Sequence, residues 1–170
     1  MVLARLCPRW VSGVVYHPQG FVFGDSTPVS TLVYYSLALE GCLVDLFGSD
    51  HPGAPVRTGV TWVWWVHRLG QRVHLTSHAG WIQTCSDLWA AADWFEREVW
   101  EMFGIKVVGH PDLRRLVTDY GFVGYPLTKG FPVGGYLEYR YSELARRVVA
   151  RPVGFTQEFR RFDFRSPWLA

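Results

Sequence analysis

SDLWAAADWFEREVWEMFG, Ser86 to Gly104, is the stretch that decides the fold class. Leu88, Ala92, Phe95, Val99 and Met102 recur at steps of four, three, four and three, which lays one apolar stripe along a helix. Ser86 is the expected N-cap, because its hydroxyl can accept from an orphan amide, and Gly104 the expected stop, because glycine enters the left-handed region without a Cβ clash. Upstream, three apolar runs rich in β-branched and aromatic residues read as strands. They are Cys42 to Phe47, closing at Gly48, then Val60 to His67, then Arg72 to Thr76 with Gly70 and Gln71 at the hairpin. All three are expected to pair antiparallel. Further upstream, Val11 to Phe23 alternates weakly around Pro18, Gln19 and Gly20 and reads as a ragged hairpin. Thr27 with Pro28 at the first helical position predicts a helix carrying Val29, Leu32, Val33, Ser36, Leu37 and Glu40. The order β, α, β, β, β, α predicts an α+β fold, a small antiparallel sheet with helices on one face, over residues 1–104.

Beyond Gly104 the character changes. Glycine or proline recurs at 109, 111, 121, 124, 126, 130, 132, 134 and 135, and no long periodic element survives. Residues 105–170 therefore read as a Gly/Pro-rich segment and an extended arm, ordered only against something else. Tyr136 to Tyr141 alternates and predicts a short edge strand. Val148 to Ala170 holds Pro152, Pro167, Phe155, Phe159, Phe162, Phe164 and Trp168, and reads as an arm laid along a partner.

A chain of 170 residues can bury a core, and nine Trp, eight Tyr and eleven Phe supply large apolar side chains for a core or an interface. Net charge is +2, unevenly spread: residues 1–103 carry six Lys/Arg against nine Asp/Glu, and residues 104–170 eleven against six. The basic half suits an acidic protein groove, nucleic acid or acidic lipid, and the absence of Lys-rich blocks favours a protein. Cys7, Cys42 and Cys85 are far apart and form no CxxC, so they predict three buried reduced thiols and no cluster. His74 and His78 have helical i, i+4 spacing but straddle a strand and a turn, without an adjacent Glu, so no metal site is expected. No apolar run approaches the ~20 residues that cross a bilayer, and the N-terminus has neither a signal-peptide nor a transit-peptide pattern.

The run GHPDLRRLVTDYGF, Gly109 to Phe122, packs four charged groups and His110 among turn-forming and apolar residues. It is preceded by DWFEREVWEMFGI from Asp93 and continued by VGYPLTKGFPVGGYLEYRY to Tyr141. Together these stretches closely resemble the cluster-free hydrophilic subunit of the quinone-reducing module of respiratory complex I, the bacterial NuoC type and mitochondrial NADH dehydrogenase subunit nine. The resemblance covers about Leu43 to Trp168, including QEFRRFDFRSPW from Gln157, and is faint before Leu43. Within it His110, Pro111, Asp112, Leu113, Arg114, Arg115, Asp119, Tyr120, Gly121 and Phe122 match the family pattern, and Gly124, Pro126, Lys129, Phe131 and Pro132 continue it. Several positions depart from it. Glu101 stands for the family's Asp, Tyr125 for His, Thr128 for Arg, Gly130 for Asp, and Arg151 for a Glu before Pro152.

Helical i, i+4 pairs such as Asp93 with Arg97 and Arg97 with Glu101 contribute only about 0.3–0.5 kcal/mol on a solvated face. The resemblance implies more: that Glu96, Arg97 and Glu98 help seat the tail and a partner. It also implies partner contacts through His110, Asp112, Arg114, Arg115, Asp119, Tyr120, Phe122 and Lys129, and through Phe159, Arg160, Phe162 and Trp168 in the tail. Arg114 and Arg115 offer planar forks for carboxylates. No nucleophile–base pair, phosphate loop or metal quartet is present, so no catalytic, cofactor-binding or metal residue is assigned. By resemblance the chain is a structural and assembly subunit of the hydrophilic arm of NADH:ubiquinone oxidoreductase, an enzyme subunit without chemistry of its own. NADH, FMN, iron-sulfur clusters and ubiquinone are then used elsewhere in the complex, which couples electron transfer to proton translocation. The implied partners are the quinone-pocket large subunit and other hydrophilic-arm subunits, with no nucleic acid and with the membrane reached only through the complex. The implied location is the matrix side of the mitochondrial inner membrane, or the cytoplasmic face of a bacterial inner membrane. The rival from a different class is a small basic-tailed nucleic-acid-binding module, which steep salt-dependent binding would reveal.

Overall fold

A computed structural model describes residues 11–17, 20–25, 41–67, 70–160 and 168, with 11–17 and 20–25 described by their backbone. The strands are β1 (Val11–His17), β2 (Gly20–Asp25), β3 (Gly41–Asp50), β4 (Thr58–Val66), β5 (Gln71–Ser77) and β6 (Trp81–Gln83). They are followed by helix α1 (Ala92–Phe103), then β7 (Lys106–Val108), β8 (Leu137–Ser142) and β9 (Arg147–Pro152). The chain divides into two compact units, Met1–Phe131 and Pro132–Ala170. That division lies beyond the compositional change at Gly104, because contacts described below tie residues 110–131 to the helix and to β3.

In the first unit β4 is buried along nearly its whole length, which is why TGVTWVWWV runs hydrophobic without alternation. It pairs antiparallel with β3 and with β5, placing Trp62 opposite both Leu46 and Leu75. The predicted hairpin at the N-terminus is present as antiparallel β1 and β2, and β2 joins β5 in parallel, giving the order β1-β2-β5-β4-β3. Trp62, Leu75 and Val60 on the sheet meet Val99 and Ala92 on α1, with Ile82, Ile105 and Val107 completing the core. The α+β class is as expected. The helix expected over residues 27–40 lies outside the described residues, as does Cys7.

Helix α1 starts later than the sequence suggests. Ser86 does not cap it: its hydroxyl lies 2.8 Å from the Thr84 hydroxyl, and residues 85–89 form a turn in which Leu88 and Trp89 donate to the Cys85 carbonyl. The reason is Glu96, whose Oε1 accepts the Cys85 amide at 2.6 Å and draws the preceding chain to the helix flank. Leu88 is consequently exposed and drops out of the apolar stripe. Gly104 does end the helix, at φ 76°, donating to the Trp100 carbonyl. The pair β6 and β7, parallel and on either side of α1, was not foreseen; three-residue strands carry too little pattern. Cys85 is buried, but Cys42 is exposed on the edge strand β3, contrary to the expectation of buried thiols.

In the second unit β8 pairs antiparallel with β9 and, among the described residues, with no other strand. Val148–Pro152, expected as part of an arm, is thus a strand, as its Val-Val-Ala core permits. The turn between the strands needs Arg146 at φ 49°. Phe155 packs edge-on against Phe159, ring centroids 4.8 Å apart, and covers Gly134, where any Cβ would overlap the Phe155 ring. Among the described residues no helix is long and apolar enough to cross a membrane.

Gly48 lies on the helix-facing side of β3, and a Cβ there would overlap the Phe103 ring. Gly48→Ala should therefore destabilise the chain by roughly 1–3 kcal/mol through forced displacement of that ring. Chemical denaturation checks this, and unchanged stability would contradict the close approach of α1 to β3.

Candidate functional site

Besides its apolar stripe, α1 buries three charged side chains: Glu96 (0% exposed), Arg97 (5%) and Glu101 (4%). A charge removed from water must be met by hydrogen bonds or counter-charges, and backbone groups meet Arg97 and most of Glu101, whereas Glu96 is met by one amide and two side chains. Glu101 Oε2 accepts the amides of Leu116 (2.9 Å) and Val117 (3.0 Å), and Oε1 accepts the Thr118 amide (2.5 Å) and the Thr118 hydroxyl. Arg97 donates through Nε to the Arg114 carbonyl (3.0 Å) and through Nη2 to the Arg115 carbonyl (3.3 Å); its nearest carboxylate, Asp93, is 3.9 Å away. One helix turn thus binds five consecutive residues, 114–118, through an acceptor and a donor.

Glu96 faces the other flank. Its Oε2 accepts the Thr84 hydroxyl at 2.6 Å, and its Oε1 accepts the Cys85 amide and thiol. Burial pushes the Cys85 thiol pKa well up, and the Glu96 carboxylate adds to it, so this thiol is held protonated. The His110 side chain is fully buried beside it. Nδ1 accepts the Asp112 amide (3.1 Å), which leaves Nε2 as the donor, 3.3 Å from both the backbone oxygen and Oδ1 of Asp93.

A third anchor comes from the sheet. Arg57 binds Asp50 in bidentate fashion, Nε to Oδ1 at 2.6 Å and Nη2 to Oδ2 at 2.8 Å, and Oδ2 also accepts the Lys129 amide at 2.6 Å. The Arg57 hydrogen bond lowers the Asp50 pKa to about 2 against the opposing effect of desolvation. For Glu101 desolvation acts upward, but the Thr118 hydroxyl and the three amides together bring it down to about 2. Both carboxylates stay ionised across the physiological range, with their oxygens occupied.

Held from behind in this way, the loop turns apolar side chains outward. Val117 is 69% exposed, Tyr120 86% and Val123 79%, with Tyr125 and Leu127 also exposed. Exposed aliphatic and aromatic groups on a fixed backbone are the makings of a docking surface.

The fifteen side chains singled out in the sequence fall into different groups. Glu96, Arg97 and His110 are buried and engaged within the chain. Glu98 is exposed on α1. Asp112 and Arg114 are exposed and paired with each other at 2.8 Å; Arg115 donates to the Thr118 hydroxyl at 2.8 Å. Asp119 accepts the Tyr120 amide, and Phe122 packs on Phe131 with centroids 5.7 Å apart. Lys129 contributes its amide to Asp50. In the second unit Phe159 and Arg160 are exposed, Trp168 is exposed, and Phe162 lies outside the described residues. The departures from the family pattern have local contacts: the Thr128 hydroxyl donates to the Tyr125 carbonyl, the Tyr125 ring lies over Gly104, a Cβ on Gly130 would meet Arg57 at 3.4 Å, and Arg151 pairs with Glu138. Sequence reasoning missed Asp50, Arg57 and the role of Glu101.

The described residues hold no group of three or more His, Cys, Asp or Glu able to bind a metal. Comparison with known proteins gives the family. Residues 27–137 match the profile of the respiratory-chain NADH dehydrogenase, 30 Kd subunit. The chain belongs to this family. A relative from Beta trigyna, NADH dehydrogenase [ubiquinone] iron-sulfur protein 3, is 46% identical over 94% of this chain and 88% of its own length. A bacterial relative, an NADH-quinone oxidoreductase subunit from Cereibacter sphaeroides, is 47% identical over 74% of this chain and 64% of its own length. Among solved structures, the trypsin-resistant fragment of Nqo5 shares the fold with a TM-score of 0.51 and 24% identity, covering 59% of this chain and 89% of that one. A chain of an archaeal membrane-bound sulfane sulfur reductase does so at 0.61 and 15%, covering 77% and 84%. The chain is accordingly a subunit of respiratory complex I, part of an NADH:ubiquinone oxidoreductase, with relatives in plants and bacteria.

Because the Glu101 pKa rises from about 2 in the fold to its ordinary 4.5 when unfolded, its contribution is complete above pH 4.5 and disappears as pH falls toward 2. Glu101→Gln should cost on the order of 2–3 kcal/mol at pH 7, and the gap between variant and parent should close across that acidic window. Denaturant titrations at several pH values measure it, and a pH-independent gap would show that the carboxylate charge is not what holds residues 116–118.

Proposed function

We propose that this chain is a non-catalytic docking subunit of the hydrophilic arm of complex I, whose loop 110–131 holds the large subunit that forms the quinone pocket. The observation that carries the reading is the contrast within that loop: its backbone is fixed by Arg97, Glu101 and Asp50, while Val117, Tyr120 and Val123 are left open. A preorganised loop loses little conformational entropy on docking, so its apolar contacts translate more fully into affinity. Its outward groups are apolar and aromatic instead of a row of cations reaching for phosphates, which favours a protein surface over nucleic acid. Arg114 and Arg115, beside this patch, would meet carboxylates or carbonyls of the partner. The chain would sit on the matrix side of the mitochondrial inner membrane, or the cytoplasmic side in a bacterium, reaching the membrane only through the complex.

Tyr120→Asp with Val123→Asp replaces two exposed side chains, so the free chain should fold normally while recovery of the assembled complex falls at least about tenfold. NADH oxidation should fall in proportion, with turnover per assembled complex unchanged. Native separation of membranes with in-gel NADH activity reads both, and full assembly of the double variant would sink the proposal.

The same reading places no cluster, flavin or quinone on this chain. In support, Cys42 is exposed on β3 while Cys85 is buried with its thiol given to Glu96, so the two present no shared ligand face. Replacing Cys7, Cys42 and Cys85 together by Ser or Ala should leave every iron-sulfur resonance of the assembled complex in place. A lost resonance at normal complex recovery would overturn the cluster-free assignment.

A further inference from the structure

Helix α1 has an outward side that neither the core nor the loop covers. Trp94 is 65% exposed on it, and Glu98, at the i, i+4 position, is exposed on the same side. Trp94 stands between two tethers to the loop. Asp93, just before it, offers its backbone oxygen to His110 Nε2 at 3.3 Å, and Arg97, three residues on, donates to the Arg114 and Arg115 carbonyls. The indole therefore borders residues 110–115 of the docking loop, within the same compact unit. It is also held in place: the Arg97 guanidinium, fixed by those two carbonyls, lies 6.0 Å from the centroid of the Trp94 ring. A fixed and mostly exposed indole loses little freedom on contact, and tryptophan is among the residues that most often carry the binding energy of an interface.

Charge on that same side narrows what covers it. Among the described residues Glu98 forms no ion pair, whereas Arg114, an exposed cation of the adjoining loop, is paired with Asp112 at 2.8 Å. An acidic lipid surface would repel the Glu98 carboxylate, and hydrocarbon would strip it of water. A second copy meeting this one across a twofold axis would bring two Glu98 carboxylates into one small patch. A protein surface with an apolar pocket for the indole and a Lys or Arg at the edge of that pocket satisfies both groups. We infer that Trp94 and Glu98 extend the docking surface of the loop onto α1, the indole entering an apolar pocket of the same partner subunit and Glu98 meeting a cation beside it. This contact rests on the docking reading of the loop 110–131 and adds to it the chemistry of the partner beside α1.

The test uses the full chain in a bacterial host where it takes the place of the host's own counterpart, with a photo-reactive phenylalanine analogue at position 94 or, separately, at position 120. Co-migration of the unmodified chain with the NADH-oxidising assembly comes first; its absence would overturn the complex I reading and this contact with it. In assembled membranes, illumination should join both positions to one subunit, position 94 to an apolar segment that also holds a Lys or Arg. Absence of a protein adduct at 120 would sink the docking of the loop, and the contact beside α1 with it. With the adduct at 120 present, an adduct from 94 to a different subunit, to a second copy or to lipid, or none, would overturn this contact alone. Glu98→Lys should lower recovered assembly several-fold and Glu98→Asp should not, with the denaturation midpoint of the free chain unchanged in both. Full assembly of Glu98→Lys would contradict the cation assigned to the partner.

Discussion

The structure depends on one carboxylate binding three successive backbone amides. Glu101 is carried on a helix whose position is fixed by the core beneath it, and it turns that position into a position for residues 116–118. Arg97, one turn earlier, does the complementary task with the carbonyls of Arg114 and Arg115. Opposite charges four residues apart on a helix would ordinarily be expected to pair with each other for a few tenths of a kcal/mol. Here burial makes each far more consequential, because an unsatisfied buried charge is costly, and the backbone of residues 114–118 supplies donors and acceptors to both.

The same constraint leaves these carboxylates with little freedom for proton transfer. A general acid or base needs a carboxyl with a free oxygen and a pKa near the working pH. Glu101 and Asp50 have their oxygens filled and sit near 2, and Glu96 is given over to Cys85 and Thr84. What these groups supply is rigidity. The apolar groups of the loop are presented on a backbone that needs little ordering on contact, which suits the docking role proposed for it.

Much of the fold was legible because its signals are periodic. The stripe through Ala92, Phe95, Val99 and Met102, the glycine stop at 104 and the unbroken apolar run of β4 each follow from burial acting on a regular element. The start of α1 was misplaced because Ser86 looks like a cap locally, whereas the decisive contact, Glu96 to the Cys85 amide, spans the turn before the helix. The short β6–β7 pair had no period to read. At the site, Arg97 and Glu96 were singled out through family resemblance, since by spacing alone they belong to a solvated face. Glu101, which departs from the family's Asp by one methylene, reaches all three amides. Asp50 and Arg57 were invisible, because their link to Lys129 joins residues far apart in the chain, and nothing local announces it.

Hydrogen exchange of the free chain near neutral pH tests the anchoring of the loop most directly. The amides of Leu116, Val117, Thr118 and Lys129 should be protected on the order of a thousandfold, comparably to those of α1, while exposed Val123 exchanges fast. Exchange of those four amides at unfolded-chain rates, with α1 still protected, would show that buried charge does not fix the loop and would contradict the account.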